Sequence, residues 1–254
     1  MKGQFMTDQG LVRNHNEDAG GVFYNKHGQL LAVIADGMGG HQAGDVASQM
    51  ATDLVEKKWQ DSQQLDNPEA AESWLRSTVT EINEKVYEYS LTKEECQGMG
   101  TTFVVALCTS EFITVSNIGD SRCYMLSENG FKQITIDHSL VNELVRSGQI
   151  SKDDAEQHPR KNVLLKALGT EESVVPEIHS LGWEKGNKLL LCSDGLSNKV
   201  TDEELHRYLL TEDPIEDIEG EMIRLANDRG GEDNISVIIV MDEAPRKDGD
   251  QHAK

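Results

Sequence analysis

The sequence predicts an α+β fold in which β-strands predominate, and three stretches of the chain carry this prediction. An apolar run at 30–35 stops at Asp36 and a group of glycines, which indicates a buried strand. Two amphipathic helical patterns lie within 44–90, and we assign them to packing on a core. β-Branched residues then fill half of 101–118, which favours strands. The chain has 254 residues and no evident linker, so we expect a single domain.

Composition and charge limit the partners and the compartment. The chain carries 24 basic and 45 acidic residues, and its net charge of −21 disfavours nucleic acids and anionic membrane surfaces as partners. The 4 cysteines show no Cys-x-x-Cys spacing, and we predict that they are reduced. The first residues lack the apolar core of a signal peptide, and no apolar run approaches the ~18 residues of a membrane span. We therefore expect a cytoplasmic protein that does not insert into membranes.

Glycines at positions 37, 39, 40 and 44 follow Asp36 closely. They permit backbone conformations that side chains forbid, and they allow a ligand or metal to approach the main chain. A plain glycine-rich turn explains the same residues, and periodicity alone leaves a short buried helix open for 30–35. A dinucleotide-binding loop is excluded because its third glycine would fall at Gln42, and no Lys-Ser/Thr follows to make a P-loop. We interpret Asp36 as a ligand at a strand end.

The polar segment 8–18 is predicted to be a loop, and it carries Arg13 and Asp18. A solvated loop explains this mixture of charges equally well. A turn at 25–28 then predicts a hairpin whose second strand ends at Asp36. In such a hairpin the carboxylates of Asp18 and Asp36 could converge.

Three further aspartates lie at predicted strand ends. Asp120 occupies a glycine-marked break between strands, where a tight Gly-Asp turn is the simpler alternative. Asp194 follows the apolar strand 188–192, and Asp233 precedes the apolar strand 235–240. Like charges at close range repel each other with energies on the order of several kcal/mol, so converging carboxylates need cations to neutralise them. Oxygen ligands, without thiolates or histidines at zinc spacing, favour Mg²⁺ or Mn²⁺.

Two segments are predicted to carry little regular structure. The segment 149–169 is polar and charged, and we interpret it as a mobile flap over a site, although a long surface loop is the plainer interpretation. The polar residues 243–254 are predicted to form a frayed C-terminal tail.

Six short motifs follow one another along residues 8–241: Arg13-x-x-Asn16-Glu17-Asp18, Asp36-Gly37-Met38-Gly39-Gly40, Gly100-Thr101-Thr102, Gly119-Asp120-Ser121-Arg122, Ser193-Asp194-Gly195 and Gly231-Glu232-Asp233-Asn234. In this order they resemble the motifs of the bacterial metal-dependent protein Ser/Thr phosphatases of the protein phosphatase 2C family. Each motif is weak alone, whereas the ordered set is highly specific. The resemblance extends to the small enzymes that oppose membrane-anchored Ser/Thr kinases in Gram-positive cells.

The resemblance implies a single catalytic domain over residues 1–242, built as a four-layer αββα sandwich of two face-to-face antiparallel sheets flanked by helices. It places two Mn²⁺ or Mg²⁺ ions at one end of the sandwich, and a third, weaker ion beside them. The implied metal ligands are Glu17, Asp18, Asp36 (bridging), the Gly37 carbonyl, Asp194 and Asp233 for the core ions, with Asp120 and Asp194 around the third. Arg13 is implied to bind the substrate phosphate as a bidentate fork.

The implied reaction is direct hydrolysis of phosphoserine and phosphothreonine in proteins by a metal-bridging hydroxide. Animal relatives place a histidine directly after the Asp-Gly of this strand end, where this chain has Met38. A thioether cannot donate a proton, so we expect a water bound to the third ion to be the general acid. His41 is close in sequence, and whether its side chain reaches the leaving group is left open. The resemblance further implies phosphoprotein substrates, a cognate kinase and a monomer.

Two other classes of function remain open at this point. A catalytically dead module could keep the fold and only capture phosphoproteins, but degenerate members of the family should lack ligands, and none is missing here. An acidic Ca²⁺ buffer is disfavoured because the sequence has no Asp-x-Asp-x-Asp-Gly loop.

Overall fold

The computed structural model describes residues 1–39 and 43–242. Its helices are α1 (Ala43–Gln60), α2 (Pro68–Thr92), α3 (Leu140–Arg146), α4 (Lys152–Glu156), α5 (Asp194–Ser197), α6 (Asp202–Leu210) and α7 (Ile215–Asp228), with a short 3-10 helix at Glu94–Cys96. Its strands are β1 (Lys2–Asp8), β2 (Asp18–Tyr24), β3 (Leu30–Met38), β4 (Gly100–Thr101), β5 (Phe103–Cys108), β6 (Phe112–Ile118), β7 (Arg122–Ser127), β8 (Gly130–Gln133), β9 (Glu177–Gly182), β10 (Lys188–Cys192) and β11 (Ile235–Met241).

The strands form two antiparallel sheets. One sheet has the order β1-β11-β10-β7-β8, and the other has the order β2-β3-β5-β6-β9, with the short β4 paired to β3. Helices cover the outer face of each sheet. The predicted α+β, four-layer αββα sandwich is therefore confirmed.

Strand alternation builds the layers, because successive side chains point to opposite faces of a sheet. Along β3, Leu30 and Ile34 point inward and meet the other sheet at Leu191 in a shared central core. The intervening Val33 points outward and packs under α1 and α2. A strand that is buried on both faces must be apolar throughout, which is why β3 shows no alternation in its sequence.

The outer helices bury the faces that the sequence pattern marks. In α2, Leu75 and Ile82 are fully buried against the six-stranded sheet, and Trp74 packs edge-on against Trp59 of α1 at a ring separation of 5.1 Å. Asn67 caps α2 by accepting a hydrogen bond from the Ala70 amide at 2.9 Å. α6 and α7 cover the five-stranded sheet in the same way.

Glu219 of α7 is a buried acid that is not among the predicted site residues. Its side chain is fully buried, and Oε1 accepts a hydrogen bond from the Ile239 amide of β11 at 2.9 Å. Among the described residues Oε2 has no partner. Burial raises the pKa of Glu219 to about 9, so this carboxyl is protonated at neutral pH.

Several element boundaries differ from the predictions. The strand expected to end at Asp36 continues to Met38, because Gly37 and Met38 pair with β4. Asp18, predicted on a loop, is the first residue of β2. The 149–169 segment contains α4, and its predicted mobility stays a prediction. The predicted tail 243–254 and His41 lie outside the described residues. Among those described, no helix has both the length and the apolar character needed to cross a bilayer.

Candidate metal centre

The predicted site residues gather at one end of the sandwich, where both sheets contribute strand ends. β2 and β3 place Asp18 directly opposite Asp36. In the other sheet, Asp194 follows β10 and Asp233 precedes the adjacent β11. A Cβ on Gly195 would lie 1.9 Å from the Asn234 carbonyl oxygen, so these two backbones are in contact only because residue 195 is glycine.

The Asp18 carboxylate joins the two sheets. Its Oδ2 accepts hydrogen bonds from the hydroxyls of Ser193 at 2.9 Å and Ser236 at 2.6 Å, both from the opposite sheet. Its Oδ1 is buried and has no partner among the described residues. Burial, opposed by the two serine hydrogen bonds, raises the pKa of Asp18 to about 7.

Asp36 is fixed through its backbone. Its amide donates to Thr102 Oγ1 at 2.9 Å, and its carbonyl accepts from the Thr102 amide and from Thr101 Oγ1, each at 2.9 Å. Burial, reinforced by neighbouring carboxylates, raises the pKa of Asp36 well above its usual range. The carboxylates that act on it are those of Asp18, Asp194, Asp120 and Asp233. The four predicted strand-end aspartates and Asp18 therefore share one electrostatic environment.

Asp194 and Asp233 each have a polar neighbour. Asp194 Oδ2 accepts from Asn198 at 3.0 Å, and burial together with the charge of Asp233 raises the pKa of Asp194 to about 6. Asp233 Oδ2 accepts from Arg13 Nη2 at 2.8 Å. The Arg13 side chain is 46 % exposed, so the predicted phosphate-binding group lies at the mouth of the site and already touches one predicted ligand.

Glu17 and Gly37 lie together beside α1. The Gly37 amide donates to the Glu17 carbonyl at 3.1 Å, and a Cβ at position 37 would lie 2.2 Å from the Gly44 carbonyl oxygen. The Glu17 carboxylate is buried, with His15 Nε2 at 3.3 Å and Arg13 Nη1 at 3.9 Å. The glycine therefore permits a close approach of three chain segments. The predicted approach of a ligand or metal to this backbone stays a prediction.

Asp120 lies in the turn between β6 and β7. Gly119 before it has φ +102, and a Cβ there would lie 2.7 Å from Thr102, so the turn requires glycine. Burial and the charges of Asp194 and Asp137 raise the pKa of Asp120 to about 7. A simple solvated turn does not bury its carboxyl in this way. The predicted role of Asp120 as a metal ligand stays a prediction.

The chemistry of the donors fits small divalent cations. Every donor is an oxygen, the type of ligand that Mg²⁺ and Mn²⁺ prefer, and a buried oxygen of Asp18 has no hydrogen-bond partner among the described residues. In the described ranges 1–39 and 43–242, no group of three or more His, Cys, Asp or Glu side chains is arranged to hold a metal ion by itself. Mg²⁺ keeps several waters and takes only one or two carboxylates from a protein, so it does not require such a group.

The polar residues that hold these carboxylates were not predicted from the sequence. Ser193, Ser236 and Thr102 were given no role, although Ser193 and Thr102 lie inside quoted motifs. Asn234 fixes the 9–17 loop: its Oδ1 accepts from the Glu17 amide at 2.8 Å, and its Nδ2 donates to the Gln9 and His15 carbonyls. Its position directly after Asp233 was the available signal.

The two-sheet sandwich and its carboxylate-lined end define a metal-dependent hydrolase. The family described as Protein phosphatase 2C matches residues 11–233, and the chain belongs to that family. The enzyme class expected from the sequence, a metal-dependent protein Ser/Thr phosphatase, is confirmed.

Similar proteins come from several bacteria. The chain is 44 % identical over 250 residues to the Serine/threonine phosphatase stp of Listeria monocytogenes, covering 98 % of this chain and 99 % of the relative. It superposes on the crystal structure of Stp1 from Staphylococcus aureus with a TM-score of 0.90 and 41 % identity, covering 96 % and 95 % of the two chains. It also superposes on the PstP catalytic domain in complex with 2 manganese ions, with a TM-score of 0.80 and 32 % identity, covering 95 % and 98 %.

The raised pKa of Asp18 predicts a pH-dependent stability of the metal-free protein. Between the unfolded value of about 4 and the folded value of about 7, the folded state holds a proton that the unfolded state releases, so stability falls as pH rises, by up to about 1.4 kcal/mol per pH unit for this group. In EDTA, we expect the urea concentration at the midpoint of unfolding to decrease as the pH rises from about 5 to about 7.5. Addition of Mn²⁺ should restore the higher midpoint.

Asp18→Asn should show a shallower decrease and a smaller gain from Mn²⁺, because it lacks the titrating carboxyl. The exposed Asp61→Asn variant serves as the matched control and should behave as wild type. Identical pH slopes in Asp18→Asn and wild type would contradict this account of the site.

Proposed function

We propose that this chain hydrolyses phosphoserine and phosphothreonine in proteins at a binuclear Mn²⁺ or Mg²⁺ centre, as a cytoplasmic monomer that opposes a bacterial Ser/Thr kinase. The observation that carries the binuclear proposal is the pair Asp18 and Asp36, which face each other across β2 and β3 with raised pKa values. A buried Asp18 oxygen without a hydrogen-bond partner supports a cation between the sheets. The manganese-bound PstP domain supports the choice of metal.

The proposed ligands divide between the two sheets. Asp36 would contact both core ions, because it lies centrally among the carboxylates that raise its pKa. Asp18, together with Glu17 and the Gly37 carbonyl, would bind one ion from the β2–β3 sheet. Asp194 and Asp233 would serve the other from the β10–β11 sheet. Asp120, whose pKa responds to the charge of Asp194, would share a third ion with that residue.

When bound, such ions supply a hydroxide nucleophile at neutral pH and neutralise charge on the transferring phosphoryl group. Arg13 would hold the phosphate with the guanidinium N–H groups that its bond to Asp233 leaves free. In a chain of net charge −21, this arginine also offsets the repulsion between the carboxylates and a dianionic phosphate. Met38 has no proton to give to the leaving alkoxide.

The kinase partner follows from the reaction class. Phosphoserine and phosphothreonine in proteins are products of Ser/Thr kinases, so a kinase must supply every substrate of this enzyme. The relatives from Listeria monocytogenes and Streptococcus pneumoniae are named as protein or Ser/Thr phosphatases, which supports the substrate class. The net charge of −21 disfavours nucleic acid as an alternative substrate.

The principal test is hydrolysis of a phosphothreonine peptide in Mn²⁺ by wild type and Asp36→Asn. The variant should lose at least about 99 % of turnover, because it removes a charge from the proposed two-ion core, and calorimetry should show weaker Mn²⁺ binding. Asp61→Asn, at an exposed remote position, is the matched control. EDTA-resistant turnover, or more than a few per cent of activity in Asp36→Asn at saturating Mn²⁺, would refute the binuclear centre.

Replacing Arg13 tests phosphate binding separately from metal binding. Arg13→Ala should raise KM by about tenfold or more, and Arg13→Lys should recover only part of the loss, since lysine keeps the charge but lacks the fork. Arg146→Ala, an exposed arginine that pairs with Glu143, is the control. Steady-state kinetics with normal KM and kcat in Arg13→Ala would instead assign this residue to a solvated loop.

Asp120→Ala tests the third ion. The variant should fold and bind two metals, yet cleave a phosphothreonine peptide about tenfold more slowly or worse, because threonine alkoxide needs a proton on leaving. The loss should be smaller for p-nitrophenyl phosphate, whose leaving group is a stable anion. Equal losses on both substrates would remove the proton-donation role, and no loss on either would leave Asp120 as a turn residue.

A further inference from the structure

The turn that carries Asp120 is held by His138, a residue that belongs to none of the ordered motifs. The Gly119 amide donates to His138 Nδ1 at 3.1 Å, and the His138 amide donates to the Gly119 carbonyl at 2.9 Å. One residue therefore satisfies both backbone groups of the glycine that precedes Asp120. Because Gly119 has φ +102, this pair of bonds selects a conformation that most residues avoid.

The His138 ring is buried, with 7 % of its surface exposed. Since Nδ1 accepts a hydrogen bond, the ring must be neutral, with its proton on Nε2. Burial lowers the pKa of His138, which favours this neutral form. Nε2 faces Glu177 of β9, whose Oε1 lies 3.4 Å away. Both ring nitrogens thus have defined environments, and only Nδ1 acts on the Asp120 turn.

The His138 backbone also connects to the 149–169 segment. The His138 carbonyl accepts from the Leu165 amide at 2.8 Å, and the neighbouring Leu140 amide donates to the Val163 carbonyl at 2.8 Å. Three residues further along, Leu168 exchanges two hydrogen bonds with Thr101, the residue whose hydroxyl donates to the Asp36 carbonyl. The C-terminal part of this segment is therefore attached both to the turn that carries Asp120 and, through Thr101, to the backbone of Asp36 in β3.

We propose that His138 is a positioning residue that presents the Asp120 carboxylate and couples the Asp120 turn to the 149–169 segment. This inference rests on the proposed role of Asp120 at a third ion. It assigns His138 no contact with substrate. His138 Nδ1 fixes the conformation of the Asp120 turn by accepting from the Gly119 amide. The His138 carbonyl, which accepts from the Leu165 amide, links that turn to the 149–169 segment.

The turn has a second support, so we expect the fold to survive replacement of His138. Asn117 Nδ2 donates to the Gly119 carbonyl at 3.3 Å and to the Ile136 carbonyl at 3.1 Å. Asn117 does not reach the Gly119 amide, which would lose its partner in a variant without the Nδ1 acceptor. An unsatisfied buried amide shifts the turn toward conformations in which it meets water.

Three substitutions of His138 distinguish the contribution of Nδ1 from that of Nε2. His138→Asn keeps an acceptor near the Nδ1 position, His138→Gln keeps a polar group near the Nε2 position, and His138→Leu keeps neither. His179→Leu is the matched control, since His179 is an exposed histidine on β9. All variants are compared with Asp120→Ala on a phosphothreonine peptide and on p-nitrophenyl phosphate.

The expected activities follow the Nδ1 acceptor. His138→Gln and His138→Leu should cleave the peptide about tenfold more slowly, with less than about threefold loss on p-nitrophenyl phosphate, and His138→Asn should stay within about threefold of wild type on both. In an Asp120→Ala background, His138→Leu should cause no further loss on the peptide. Equal losses on both substrates, or a loss in His138→Asn as large as in His138→Leu, would overturn the proposal.

A second readout uses the metal-free protein. Trypsin cleavage after the exposed residues Arg160, Lys161 and Lys166 reports the attachment of the 149–169 segment in EDTA. Cleavage should be faster in His138→Leu and His138→Gln, and unchanged in His138→Asn and His179→Leu. Hydrogen exchange at the Gly119 amide should follow the same order, since only the Nδ1-type acceptor protects it.

The inference about His138 would be overturned if His138→Leu kept the wild-type ratio of peptide to p-nitrophenyl phosphate activity and the wild-type rate of trypsin cleavage. That result would leave the third-ion role of Asp120 intact. If Asp120→Ala itself keeps the wild-type ratio, the proposed role of Asp120 fails instead. The trypsin and exchange measurements then decide on their own whether His138 couples the turn to the segment: faster cleavage and exchange in His138→Leu support the coupling, and unchanged rates overturn it.

Discussion

The hydrogen bonds from Ser193 and Ser236 to Asp18 are the contacts on which the site depends, because they bring a carboxylate of one sheet against the strands of the other. They satisfy one oxygen of Asp18 and leave the other buried without a partner. Two hydroxyls stabilise the ionised form, but burial outweighs them and the pKa remains raised. The sandwich therefore closes around a group whose charge the protein alone does not compensate.

The surrounding backbone is arranged to make this concentration of charge possible. Asp36 is held by Thr101 and Thr102 through main-chain and hydroxyl bonds that leave its carboxylate free of those contacts. Gly37 and Gly195 let neighbouring segments approach to distances that a Cβ would prevent. Repulsion between the carboxylates opposes folding of the metal-free protein at neutral pH. If the proposed ions bind there, they would offset this repulsion, and stability and catalysis would depend on the same ions.

The sequence was most informative where an apolar strand stops at a carboxylate, as at Asp36 and Asp194. Such strands are buried on both faces, so their ends are easy to locate. The strands β1, β8 and β9 were not predicted, because each lies at a sheet edge and is half-buried, which weakens the apolar pattern. The sequence could not reveal the partners of Asp18, because Ser193 and Ser236 lie 175 and 218 residues away and their contacts exist only after the sheets pack.

Glu219 makes the α7 layer of the molecule sensitive to alkali. Its neutral carboxyl lies between α7 and β11, and ionisation would place an unpaired charge there. Because its pKa is about 9, mildly alkaline solution should loosen the α7 layer while the other helical layer, on α1 and α2, stays packed. The two outer layers of this sandwich would then differ in their tolerance of alkali, and metal binding at the strand ends would not remove the difference.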